Sequence, residues 1–273
     1  MAPYIFAVRN NIHILDLEKT RAKLLDAMAF ASEIGSKGGS VLFVGTKRQM
    51  KDTVRAAASS CGMPYVVTRW LGGTFTNYRT IQKTIKKMER YETLKANGEL
   101  EKNYTKKERL LIERELEKMK TLFEGIKDMK RLPDAVAVFD VNHDSIAVEE
   151  AKKSKIQIIG IVDTNSKFEG IDHMIPANDD AIKSVQYIAE ALADAVSEGK
   201  KSAPPASAAV SGQTGQSVYK ARQSGQDAQH VDQSAAELQS AAGQEQAQSE
   251  SQTPAGADAQ SGAKREAGLS RAN

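Results

Sequence analysis

Short unbroken apolar runs alternate along the chain with stretches in which apolar residues recur every three or four positions. The runs SVLFVG (residues 40–45), PYVV (64–67), AVAVFD (135–140) and IQIIGIVD (156–163) have no polar face, as expected of strands in a sheet covered on both sides. Residues 12–15 and 173–176 are weaker strand candidates. Between the runs, Met50, Val54, Ala57 and Cys61 keep a 4-3-4 spacing, and Ile182, Val185, Ala189, Leu192 and Val196 keep 3-4-3-4. Both are the spacing of a buried helix face. Thr46 and Gln49 stand three apart after the first run, a capping-box pattern that predicts a helix start. Strand and helix in alternation require right-handed crossovers, so the pattern predicts a doubly wound α/β fold around a parallel sheet.

The rhythm breaks between Asn77 and Leu132, where no strand candidate occurs. Ile81, Ile85 and Met88 repeat 4-3, and Ile112, Leu116, Met119, Phe123 and Ile126 repeat 4-3-4-3. A narrow seam on each of two charged helices predicts a coiled-coil hairpin that stands in solvent rather than two more covers for the sheet. Asn97-Gly98 marks the end of the first helix, and Thr105 with Glu108 caps the second. Run from Thr105 to Lys130, the second helix would be about 39 Å long at about 1.5 Å per residue. From Ala203 onward the chain is Ala, Ser, Gln and Gly with no sustained apolar period, which predicts a disordered tail. The expected organisation is an α/β domain from residues 1–76 and 131–199, an inserted hairpin at 77–130, and a low-complexity tail at 200–273.

The formal net charge of +3 is too small to suggest a partner, but its distribution is uneven. Ten basic side chains meet five acidic ones in residues 1–77, fifteen meet ten in 78–130, and six meet thirteen in 131–199. Clustered positive charge draws phosphate, because each contact releases condensed counterions. The single cysteine, Cys61, excludes an internal disulfide and falls on a buried stripe, so it reads as core. No apolar run is long enough to span a membrane and the N-terminus has no secretory pattern, so a cytosolic protein is expected.

Ligands of open parallel sheets gather at the carboxyl ends of the strands, so chemistry is sought there. Gly45-Thr46-Lys47 lacks the glycine spacing of a phosphate-binding loop, and no strand is followed by G-x-G-x-x-G. Asp140, Asp144 and Asp163 are candidates for Mg²⁺ in a phosphotransfer enzyme, the alternative reading, although strand-end aspartates serve more often as caps. His13, His143, His173 and His230 have no paired ligand spacing, so no metal site or cofactor is expected. The segment from Thr68 to Arg79 differs in kind. Arg69 and Arg79 supply bidentate donors to phosphate, Gly72 and Gly73 let backbone approach a polyanion, and Thr74, Thr76 and Asn77 reach sugar and phosphate oxygens. Trp70 and Phe75 either stack on a base or anchor the loop, with Arg69, Thr74, Thr76 and Asn77 then facing outward.

RWLGGTFTN (69–77) resembles the signature of the small-subunit ribosomal protein two family, and LPDAVAVFDVNHDSIAVEEAKKSKIQIIGIVDTN (132–165) resembles its second signature. PYIFAVRNNIHILDLEKT (3–20) and FVGTKRQ (43–49) agree as well, so the likeness runs in order over about residues 1–198. The hairpin is similar to the coiled-coil insertion of bacterial-type members. The resemblance implies a flavodoxin-like domain between head and body of the small subunit, binding ribosomal RNA and other subunit proteins. It also implies support for docking of small-subunit protein one, a structural rather than catalytic role, and a cytoplasmic, ribosomal location. Carried onto this chain, Arg69, Trp70, Gly72, Gly73, Thr74, Thr76, Asn77 and Arg79, with the strand-end pair Lys47 and Arg48, become the expected RNA-binding residues. Family members have a Gly-His-rich segment ahead of the Met-x-Pro-Tyr-Ile that opens this sequence, and any contact made by that segment is not carried over.

Overall fold

The computed structural model describes residues 1–202, and the tail expected from residue 203 lies outside the described residues. Strands β1 (Ile5–Arg9) and β2 (Ile12–Leu15) form an antiparallel hairpin whose turn residues Asn10 and Asn11 both have positive φ, the geometry that a two-residue hairpin turn demands. Residues 12–15 therefore form a strand, but one outside the main sheet. Asp16 then caps α1 (Leu17–Ser36) by accepting from the amides of Glu18 and Lys19.

The main sheet contains β3 (Val41–Val44), β4 (Tyr65–Val66), β5 (Ala135–Val138), β6 (Gln157–Val162) and β7 (His173–Pro176). All four pairings are parallel, in the order β4-β3-β5-β6-β7. Relabelled by sequence this is the flavodoxin-like order, with its switch point between β3 and β5. Alternate residues of each strand go to opposite faces. Val41, Phe43, Ala135, Ala137, Ile159 and Ile161 pack with α1, α2 (Lys51–Ser60) and α7 (Ile182–Ser202). Leu42, Val44, Val136, Val138, Ile158 and Val162 form the other core with α6 (Ser145–Lys153) and the segment around Trp70 and Phe75. Two buried faces explain why these strands read as continuous apolar runs. Cys61 is buried as expected, and burial pushes its thiol pKa up.

Helix α2 starts at Lys51 with Met50 as its N-cap and no side-chain cap, so Thr46 and Gln49 form no capping box. Thr46 has a stronger partner across the sheet, described below. α7 continues through Ser202, which places residues 200–202 in a helix rather than in the tail.

The insertion consists of α3 (Tyr78–Ala96), the short α4 (Glu99–Asn103) and α5 (Lys106–Phe123), with the Thr105–Glu108 capping box in place. α5 has 18 residues, about 27 Å, rather than the longer helix expected. It gives way to a 3-10 turn over Glu124–Ile126, because there the chain runs against β4. A Cβ on Gly125 would lie 2.2 Å from the carbonyl oxygen of Tyr65, so only glycine fits. The seam residues Ile81, Ile85, Met88, Leu116, Met119 and Phe123 join the second core, so the root of the hairpin does not stand wholly in solvent. Lys87–Glu115, Lys95–Glu113 and Lys120–Glu92 tie α3 to α5, and Glu92 also pairs with Lys127 just beyond the 3-10 turn.

Gly125→Ala should lower stability to denaturant by about 1–3 kcal/mol through overpacking at β4. Urea unfolding followed by circular dichroism measures it, and an unchanged midpoint would remove the close approach as the cause of the helix break.

Candidate nucleic-acid interface

The turns after β3, β5, β6 and β7 meet at the carboxyl edge of the sheet, where folds of this order hold their ligands. In this chain the switch-point crevice is closed by the protein's own side chains. Thr46 donates its amide to Asp144 Oδ2 at 3.1 Å and its hydroxyl to Oδ1 at 2.6 Å, joining the turn after β3 to that after β5. The Lys47 ammonium lies 3.0 Å from Asp140, 3.2 Å from Asp179 and 2.5 Å from Asp180. Asp140 also accepts from the amides of Asn142 and His143, and Asp163 from that of Thr164. Among the described residues, no group of three His, Cys, Asp or Glu is placed to hold a metal ion.

These contacts set the charges. Burial works to discharge Lys47, but hydrogen bonds to Asp180, Asp140 and Asp179 reverse the effect and leave its pKa well above the ordinary lysine value. Burial raises the Asp179 carboxyl, and the nearby Asp140 charge adds to the rise. Burial likewise raises Asp144, against the hydrogen bonds from Thr46. Lys47, expected to face RNA, is thus committed to three carboxylates, whereas its neighbour Arg48 is exposed.

The signature loop follows β4. Trp70 and Phe75 pack edge to face with ring centroids 4.9 Å apart, at 7% and 3% exposure. Their burial makes them anchors, and a base has no access to stack on Trp70. The loop wraps around one carboxylate, that of Glu150 on α6. Glu150 Oε1 accepts from the Trp70 indole at 3.2 Å and the Gly73 amide at 2.7 Å. Its Oε2 accepts from the amides of Phe75 and Thr76 at 3.0 and 3.2 Å and from the Thr76 hydroxyl at 3.2 Å. Gly73 has φ of +91°, a conformation that turns its amide inward and that glycine adopts without strain. Burial pushes the Glu150 pKa up, but the amides of Gly73, Phe75 and Thr76 and the Trp70 indole outweigh it and hold the carboxyl below the ordinary range.

The expectation that Thr74 faces outward fails. It is 3% exposed and its hydroxyl donates to the Leu71 carbonyl at 2.6 Å, closing the turn. Arg69, Gly72, Thr76, Asn77 and Arg79 are exposed, though the Thr76 hydroxyl also serves Glu150. Lys51 donates to the Thr68 carbonyl at 3.4 Å and Thr68 donates to the Thr121 carbonyl at 3.0 Å, which sets the turns after β3 and β4 and the hairpin side by side. Arg48, Arg69 and Arg79 enter no ion pair among the described residues.

The sequence profile of a family described as Ribosomal protein S2 matches residues 1–199. The chain belongs to this family. S2 is a structural protein of the small ribosomal subunit and not an enzyme, which agrees with a switch-point crevice filled from within. The Mg²⁺ phosphotransfer reading falls with it: Asp140, Asp144 and Asp163 hold backbone, threonine and lysine. Sequence reasoning missed Glu150, Asp179 and Asp180. The trace that Glu150 leaves in an S2 sequence is an acid beside Ala147, Val148 and Ala151, on the buried side of its helix.

Glu150→Gln should cost about 1.5–3 kcal/mol, because a neutral amide cannot accept from all five donors. With the folded pKa below its ordinary value of 4.5, the wild-type contribution is complete above that pH and is lost as pH falls through the folded value. Emission of Trp70, the chain's single tryptophan, should show this acid loosening in the wild type and a loop already loosened at neutral pH in the variant. Lys47→Met leaves three carboxylates facing one another, and should destabilise by roughly 2–4 kcal/mol at pH 7, with part recovered near pH 4 as Asp179, whose carboxyl pKa is raised by burial, protonates. Thermal melts at the two pH values check it.

Proposed function

We propose that this S2-family protein fastens ribosomal RNA in the small subunit by phosphate and shape contacts from one fixed strand-end surface. Arg48, Arg69 and Arg79 supply the charge, and Gly72, Thr76 and Asn77 supply close backbone and polar contact. Trp70, Gly73, Thr74 and Lys47 act on the RNA indirectly, by holding the shape of that surface. The observation that carries this reading is the division of labour around Glu150. Every inward polar group of the loop is satisfied within the protein, while the arginines at its ends are exposed with no carboxylate partner among the described residues.

The family assignment supports a cytoplasmic ribosome as the setting and other small-subunit proteins as neighbours. A position between head and body, and support for docking of small-subunit protein one, extend the same reading. Such a protein works by geometry: a backbone held in place before binding loses little further freedom when phosphate arrives.

Replacing Arg48 and Arg69 together by alanine should weaken binding to intact small-subunit ribosomal RNA. It should also make the slope of log K against log salt shallower by about 1–2, since each lost phosphate contact removes close to one. An unchanged slope in filter binding between 50 and 200 mM salt would overturn the assignment of these arginines.

A further inference from the structure

The first hairpin helix carries a second row of charge that the signature loop does not account for. On α3, Arg79, Lys83, Lys86 and Arg90 follow one another at 4-3-4 spacing, and all four are exposed. At 3.6 residues per turn they share one face, opposite the buried seam Ile81, Ile85 and Met88. Neighbouring cations of the hairpin are used internally: Lys87 pairs with Glu115, Lys95 with Glu113, and Lys120 and Lys127 with Glu92. None of the four in the row has an ion-pair partner among the described residues, and Glu89 lies off the row. The equivalent outward face of α5, Leu110, Arg114, Glu117 and Thr121, is mixed in character, so the asymmetry belongs to α3 alone.

Like charges at i, i+3 and i, i+4 destabilise a helix, so the row weakens α3 unless a polyanion lies along it. From Arg79 to Arg90 it spans about 16 Å of helix at about 1.5 Å per residue. It begins two residues beyond Asn77, at the edge of the signature loop. The two surfaces are thus continuous in the chain, and α3 is fixed to the domain through Ile81, Ile85 and Met88, which belong to the second core.

We infer that the outer face of α3 is a phosphate track, with Lys83, Lys86 and Arg90 carrying the RNA interface of the strand-end loops outward along the hairpin. The inference rests on the proposed RNA-binding function and deepens it. A row of cations with no apolar or aromatic residue among them fits a sugar-phosphate backbone, and lacks the buried anchors on which protein partners depend.

The test uses the full chain and intact small-subunit ribosomal RNA, comparing Lys83→Ala/Lys86→Ala/Arg90→Ala with Arg48→Ala/Arg69→Ala and with the internally paired control Lys87→Ala. The same three positions changed to Gln guard against an effect of lost side-chain bulk, and circular dichroism confirms that α3 remains folded. The salt slope of the α3 variants should become shallower by about 2–3, and that of the control should stay as in the wild type. An unchanged slope in the α3 variants with a shallower one in the arginine pair would overturn the track and leave the loop surface standing. Unchanged slopes in both would overturn both. Wild-type RNA binding by the α3 variants with reduced incorporation into subunits would overturn the track in favour of a protein contact.

Discussion

The carboxylate of Glu150 is the contact on which the shape of the signature loop depends. Two oxygens accept five hydrogen bonds from a loop that would otherwise leave four N–H donors unpaired at a buried site. Hydrogen bonds to an ionised acceptor are about twice as strong as neutral ones, and the loss of the acceptor would strand every donor at once. Because Glu150 sits on α6, which packs against β5 and β6, the loop after an edge strand is referenced to the centre of the sheet. The backbone that carries its arginines is therefore held to the core rather than free as a surface loop.

A second group of carboxylates does the opposite work at the switch point. Folds with this strand order leave a crevice there, and a nucleotide or metal enzyme would line it with groups free to meet a ligand. In this S2 protein Lys47 bridges three aspartates and Thr46 holds Asp144, so the polar groups are consumed in locking the turns after β3, β5 and β7 together. The chain thus keeps the architecture of a ligand-binding fold and turns its mouth into a brace.

Much of the architecture was legible from apolar runs, because strands buried on both faces cannot alternate and so stand out from amphipathic helices. The capping box of α5 was legible for a similar reason, since Thr105 and Glu108 act on neighbouring backbone. The misreadings share one physical origin. Thr46 has the local spacing of a cap, but its partner Asp144 lies 98 residues away. Thr74 has the composition of an outward hydroxyl and is turned inward by a bond to Leu71. Lys47 reads as a basic strand-end residue until Asp179 and Asp180, more than 130 residues on, fold over it. Spacing reports what a residue does with its own segment, and these residues were claimed by partners from other segments. The end of α5 escaped notice likewise, because the carbonyl of Tyr65 that stops it comes from β4.

The bonds from Tyr78 to Met129 and from Gln82 to Lys130 bring the two ends of the hairpin insertion together. With its ends tied, the insertion is a side branch: to the rest of the chain, the roughly fifty residues from Tyr78 to Lys130 count as a short connection. The entropy of closing the sheet then depends little on the branch, and even doubling a loop costs only about 0.6 kcal/mol. The hairpin can accordingly drift in length by whole turns while the register of β3 against β5 stays as it is.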